Sequence, residues 1–234
     1  MPKKHRTVLM LSVSAGAGHV RAAQALKKTA EEQFPDCDPV HIDLMDCVPQ
    51  IFRKMYSESY IKIVERSPAL WEFLYQQTDK VPKESSVSRK LRVAVQDLNT
   101  RDFVKKLAEI RPDAVVCTHF LPPEIISKLI RKGKFSSPCW VAVTDFDIHG
   151  LWIQPDMAGY FVASDEVAWR LKEKGVGSPA IKVTGIPVMP VFGRKYDRKE
   201  CAAELGINPA TFTIVLMSGG LGVGGINVIA EKLM

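Results

Sequence analysis

TVLMLSVSAGAGHVRAA, residues 7–23, decides the fold. Residues 7–13 are almost wholly apolar and rich in Val and Leu, the pattern of a strand buried on both faces. A glycine-containing turn follows, Ser14-Ala15-Gly16-Ala17-Gly18, and then a helical pattern over residues 19–34. Ala22, Leu26, Ala30 and Phe34 recur there at four-residue spacing and form one apolar stripe. Strand, glycine turn and helix in this order predict a βα unit whose turn lets the backbone approach a ligand closely. The helix start adds unsatisfied N–H groups and a partial positive charge.

The same alternation runs outward along the chain. Apolar runs at residues 113–118, 139–144, 159–163, 181–184 and 213–217, with a shorter one at 40–44, predict further strands. Helical patterns lie between them at residues 88–110, 122–131 and 164–174. Gly133 and Gly175 stand where helix ends favour glycine, and Pro122-Pro123 suit a helix start. Apolar strands separated by helices predict a parallel sheet covered on both faces: an α/β, Rossmann-like, doubly wound domain that binds ligands beyond the carboxyl ends of its strands. A second glycine turn, Ser218-Gly219-Gly220-Leu221-Gly222-Val223-Gly224-Gly225, follows the run at 213–217. Two such turns, about 200 residues apart, suggest two Rossmann-like domains in tandem.

Composition is that of a globular protein: 234 residues, 46% hydrophobic and 25% charged. No apolar run reaches the ~18 residues needed to span a bilayer. The opening MPKKHRTVLMLSV resembles a short signal peptide, but the run is brief and a glycine turn follows it in place of a cleavage site, so it reads as the first buried strand. Cys37, Cys47, Cys117, Cys139 and Cys201 are odd in number and lack C-x-x-C spacing, which predicts apolar fillers in a reducing cytosol. The net charge of +6 suits an anionic membrane surface or a phosphorylated substrate. Nucleic acid is not expected, because no recognition helix and no basic stripe interleaved with aromatics are present.

His19 is the most informative side chain. It joins the glycine turn to the helix, and a neutral histidine there can take a proton from a hydroxyl. The alternative is a cap-region histidine without chemistry. A dinucleotide site is a second option, with Gly16 and Gly18 on the phosphates and Asp43, at the end of the second strand, on a ribose. Against it, Arg21 occupies the place of the third glycine. Asp145-Phe146-Asp147, with His149 nearby, could hold a divalent cation, or could be a polar loop that bonds its own turn. Residues 51–75 carry aromatics beside basic residues and fit either a membrane-surface helix or a helix packed on the sheet.

These residues carry a resemblance. Gly16-Ala17-Gly18-His19-Val20-Arg21-Ala22-Ala23 is similar to the G-x-G-H-x-x-A segment of the monogalactosyldiacylglycerol synthase and processive diacylglycerol glucosyltransferase family. The likeness continues through Thr118-His119-Phe120, Val143-Thr144-Asp145-Phe146, His149-Gly150-Leu151-Trp152, Val183-Thr184-Gly185-Ile186-Pro187-Val188 and Leu216-Met217-Ser218-Gly219-Gly220-Leu221-Gly222. It implies one half of a GT-B type inverting glycosyltransferase that needs no cofactor and no metal. The donor is a UDP-sugar and the acceptor is diacylglycerol at an anionic membrane surface. The enzyme would be peripheral on the cytoplasmic face of the cell membrane.

By the resemblance His19 is the general base, and Gly16, Gly18, His119, Phe120 and Asp145 lie on the acceptor side. Gly219, Gly220 and Gly222 would meet the donor diphosphate. Phe52, Tyr56, Trp71 and Phe73 are the expected membrane contacts. Residues 1–190 are expected to form the acceptor domain, and residues 191–234 a linker with the first unit of an incomplete nucleotide-sugar domain. Such a domain needs about 150 residues, and only about 25 follow Thr211. Two other functions stay open on the residues alone: a dinucleotide-dependent oxidoreductase and a non-catalytic lipid-binding remnant.

Overall fold

The computed structural model describes residues 5–14, 16–51, 53–54, 100–217 and 225–233. Six parallel strands form one sheet: β1 (Arg6–Ser12), β2 (Cys37–Asp43), β3 (Ala114–Cys117), β4 (Cys139–Ala142), β5 (Gly159–Val162) and β6 (Ile181–Val183). Their order across the sheet is β2-β1-β3-β4-β5-β6. The chain steps outward from β1 to β2, then crosses back over β1 to β3. The carboxyl ends of β1 and β3 therefore flank the point where the direction of winding reverses, which is where ligands bind in such sheets.

The described helices are α1 (Ala17–Gln33), α2 (Arg101–Ile110), α3 (Leu121–Arg131), α4 (Asp165–Glu173), α5 (Arg198–Glu204) and α6 (Ile226–Leu233). Alternate residues of β1 face opposite ways. Leu9, Leu11 and Val13 join Phe103 and Leu107 of α2 and Ile125, Ile126 and Leu129 of α3 in one core. Val141, Val162 and Ile181 continue this layer against Val167 and Leu171 of α4 and against Trp152. On the other face, Val8 and Met10 pack on Ala23, Leu26 and Ala30 of α1. Small alanines let α1 lie close to the sheet. Ala22, Leu26 and Ala30 of the four-spaced stripe are wholly or partly covered, whereas Phe34 falls just past the end of α1 and is 57% exposed.

Local signals act where expected. Gly133 and Gly175 take φ of +64° and +90° just past α3 and α4, a conformation that costs glycine little. Ser164 caps α4 by accepting from Val167 N–H at 3.4 Å. Pro122 and Pro123 occupy the first turn of α3, where an N–H is not needed. Cys117 and Cys139 are buried with their Sγ atoms 3.7 Å apart, and all five cysteines are free.

Two elements differ from the sequence expectation. β2 begins at Cys37, although the apolar run starts near Val40, because Pro39 hides the earlier part. Pro39 pairs with Val8 on an edge strand, where a missing N–H is tolerated. Residues 213–217 form no strand. They are mostly exposed and have no neighbouring strand among the described residues to supply a ladder.

After β6 the chain makes a 3-10 turn at Pro190–Gly193, and Arg194 pairs with Glu32 of α1 at 3.0 Å. A recess of about 1080 Å3 opens beside α1, lined by Val8, Met10, Leu26, Ala142, Phe161 and Val188 among others. It contains neither His19 nor Asp145.

Candidate active site

Turns after β1, β3 and β4 meet at the carboxyl edge of the sheet and converge on His19. Gly16 is the N-cap of α1, with φ −155° and ψ 159°, and it has no side chain to cap the helix. The first turn of α1 also carries no acidic residue. His19 sits in that first turn, half-buried.

His19 Nδ1 lies 2.9 Å from the Thr118 carbonyl and 2.7 Å from the Thr144 hydroxyl. A carbonyl can only accept, so Nδ1 carries the hydrogen. The neutral ring then has its lone pair on Nε2, the state a general base requires. Thr118 Oγ1 donates to the His19 carbonyl at 2.8 Å and is 3.2 Å from the Leu11 carbonyl, tying β3 to both ends of the glycine turn. Thr144 Oγ1 donates to the Thr118 carbonyl at 3.3 Å. Two threonines at two strand ends thus fix the orientation of one imidazole.

Burial lowers the pKa of His19 below the usual 6.5, with Asp145, the Thr118 carbonyl and Asp43 pulling the other way. The positive end of α1 adds to the lowering. His119 is buried at 1% exposure, with its ring edge-on to His19 at a centroid distance of 4.5 Å. Its Nδ1 accepts from Leu121 N–H at 3.0 Å, so the neutral ring carries its hydrogen on Nε2. Burial, reinforced by the neighbouring His19 and His149, holds its pKa well below 6.5. Phe120 and Trp152 complete an aromatic wall, and Trp152 Nε1–H donates to Asp145 Oδ2 at 3.1 Å.

Of the residues expected from the sequence, Gly16, Gly18, His19, His119, Phe120 and Asp145 all come from these turns after β1, β3 and β4. His119 lies behind His19 rather than beside it at the surface. Gly219, Gly220, Gly222, Phe52, Tyr56, Trp71 and Phe73 lie outside the described residues. Thr118 and Thr144, which lie in two of the segments that carry the resemblance but were given no role there, are the residues that hold the His19 ring.

Asp43 is engaged by its own turn and by Ser12. Its Oδ1 accepts from Ser14 N–H at 3.2 Å and Met45 N–H at 2.8 Å, and its Oδ2 accepts from the Ser12 hydroxyl at 3.1 Å. The acid that would bind a ribose is engaged by its own turn, so the oxidoreductase alternative loses its sequence basis. Asp145 and Asp147 are likewise partnered. Asp147 Oδ1 accepts from Ile148 N–H at 2.7 Å and pairs with Arg170 at 2.6 Å. Among the described residues no group of three or more His, Cys, Asp or Glu is arranged to hold a metal ion.

Residues 19–188 match the family model for monogalactosyldiacylglycerol (MGDG) synthase. The chain belongs to that family. Monogalactosyldiacylglycerol synthase of Spinacia oleracea is 30% identical over 239 residues, covering 99% of this chain and 44% of the relative. Processive diacylglycerol beta-glucosyltransferase of Bacillus subtilis is 25% identical over 222 residues, covering 94% of this chain and 55% of the relative. The chain therefore spans about half the length of the curated relatives it matches. A solved structure, the lipopolysaccharide outer core galactosyltransferase WaaB in its apo form, gives a TM-score of 0.43 at 14% identity over 76% of this chain and 44% of that chain, too distant a likeness to argue from. For this member of the MGDG synthase family, the matched span begins at His19 and includes every turn that contacts it.

Proposed function

We propose that this chain is the acceptor-binding half of an inverting glycosyltransferase that transfers a hexosyl group from a UDP-sugar to the hydroxyl of diacylglycerol. The observation that carries this is the His19 Nδ1–H held by the Thr118 carbonyl, which leaves Nε2 free to act as the base. In the reaction Nε2 takes the acceptor hydroxyl proton as the oxygen attacks the anomeric carbon. The bond from that carbon to the diphosphate oxygen breaks, and UDP leaves with the electron pair. One displacement inverts the anomeric centre and needs no covalent intermediate.

Family membership and the names of the relatives support the acceptor. The uncapped N-terminus of α1 supports an anionic donor, since it offers N–H groups and positive potential. In this scheme Gly219, Gly220 and Gly222 approach the diphosphate, and Gly16, Gly18, Phe120 and Asp145 border the acceptor. Phe52, Tyr56, Trp71 and Phe73 touch the membrane surface, which makes the enzyme peripheral. Among the described residues no helix is long and apolar enough to cross a membrane. Residues 1–190 would form the acceptor domain, with the donor domain entered after it.

The test joins this acceptor domain to the donor half of the Bacillus subtilis glucosyltransferase and follows label from UDP-glucose into diacylglycerol. Glycolipid formation is expected, and His19→Ala should lower it by about 10²–10⁴ with little change in UDP-sugar binding. A folded fusion that binds UDP-glucose but makes no glycolipid would overturn the proposal.

A further inference from the structure

Phe146 is 76% exposed, although it lies on a turn that is fastened on both sides. Before it, Asp145 accepts from Trp152 Nε1–H at 3.1 Å, and Trp152 is fully buried. After it, Asp147 pairs with Arg170 at 2.6 Å, and Ile148 is buried. The turn is thus built on rigid supports that hold the phenyl ring out in solvent. Isolated exposed apolar side chains are common. This one is unusual in its place. Thr144, two residues earlier, touches His19 Nδ1 at 2.7 Å. Two residues of chain span at most about 7 Å, so Phe146 is rooted at the rim of the base.

We propose that Phe146 is the apolar contact for the acceptor lipid: its ring packs on the glycerol esters and first methylenes of the diacylglycerol whose hydroxyl His19 deprotonates. This rests on the acceptor assigned above. A hydroxyl at Nε2 brings the adjacent ester carbons of a two-chain lipid to the rim within a bond or two. A fixed aromatic face buries those groups with little loss of side-chain freedom, because the turn is already ordered. A sugar or peptide acceptor would call for polar partners there. The flanking carboxylates are instead engaged by Trp152 and Arg170.

The experiment is sedimentation of the full 234-residue chain with phosphatidylcholine–phosphatidylglycerol vesicles, with and without dioleoylglycerol. Wild type should bind more tightly when dioleoylglycerol is present. Phe146→Ala should weaken that increment about tenfold, as expected for losing most of a buried phenyl contact. Binding to vesicles without dioleoylglycerol should stay at the wild-type level. Phe146→Leu should restore most of the increment, and unchanged circular dichroism and melting would confirm that both variants fold. Undiminished dioleoylglycerol dependence in Phe146→Ala would overturn the proposal and leave the acceptor assignment intact. Equal weakening on both kinds of vesicle would also overturn it, by making Phe146 a general bilayer anchor. If wild type ignores dioleoylglycerol, the acceptor assignment fails and the proposal falls with it.

Discussion

The Thr144 hydroxyl lies 2.7 Å from His19 Nδ1, across 125 residues of sequence. The contact links the carboxyl end of β4 to the first turn of α1. It is one of two acceptors for a single N–H, the other being the Thr118 carbonyl at 2.9 Å. Thr144→Val removes the hydroxyl but keeps the carbonyl. His19 should therefore stay mainly in the Nδ1–H form, as read from its ring nitrogen shifts. Stability should fall by about 1 kcal/mol, the net value of a hydrogen bond of this kind. A majority Nε2–H form in the variant would show that Thr144, not the carbonyl, sets the tautomer.

Proton titration of His19 should have its midpoint below the usual 6.5, since burial disfavours the charged ring. Asp145 pulls the value up, so Asp145→Asn should shift the midpoint further into acid. A shift toward alkali would contradict that assignment. The same depression has a consequence for stability. Between its folded and unfolded pKa values each such histidine binds more protons in the unfolded chain, so stability rises with pH across that window. His19, His41 and His119 are all lowered. The urea midpoint should be highest above pH ~7 and fall as the pH drops through 6.5.

Asp43 braces the turn that carries His19. Asp43→Ala leaves Ser14 N–H and Met45 N–H without their acceptor and removes one of the two partners of the Ser12 hydroxyl, the other being His41 Nε2 at 2.9 Å. The expected cost is about 2–3 kcal/mol, measured by urea unfolding. The wild-type chain should not enhance the fluorescence of a reduced nicotinamide dinucleotide. Enhancement would return Asp43 to a ligand role.

Gly159 in β5 has no room for a methyl group. A Cβ there would sit 2.5 Å from the Ala180 carbonyl oxygen and 2.5 Å from the Trp140 ring. Gly159→Ala should lower stability by about 2 kcal/mol. Adding Trp140→Leu should recover only part of this, because the carbonyl is backbone and cannot move aside. Full recovery would mean that the ring alone makes the clash.

Much of this was legible in the sequence. Parallel strands buried on both faces leave continuous apolar runs, so β1, β3, β4, β5 and β6 were found to within a residue or two. Pro39 concealed the start of β2, because an edge strand tolerates what a central strand does not. Residues 213–217 have strand composition but no partner among the described residues, and a ladder cannot be read from one strand. His19 was visible because a glycine turn at a helix start is a local signal. Thr118 and Thr144 stood in segments that carry the resemblance, but their contact with His19 was not legible, since it depends on which strand ends become neighbours, a property of topology. The engagement of Asp43 was hidden for the same reason: Ser12 and Ser14 meet it only through the pairing of β1 with β2.

Helix α1 is a rod of about 25 Å, given 17 residues at 1.5 Å each. His19 is at one end, and near the other Glu32 holds Arg194 at 3.0 Å. Both partners of that pair are partly solvated, and such a tether is worth at most about 1 kcal/mol. It is therefore a weak fastening. The pair ties the segment after Gly193 to one end of the rod, while the imidazole at the opposite end has its own two threonine supports. Raising the salt concentration should weaken the Arg194–Glu32 pair and leave the two hydrogen bonds on His19 Nδ1 unchanged.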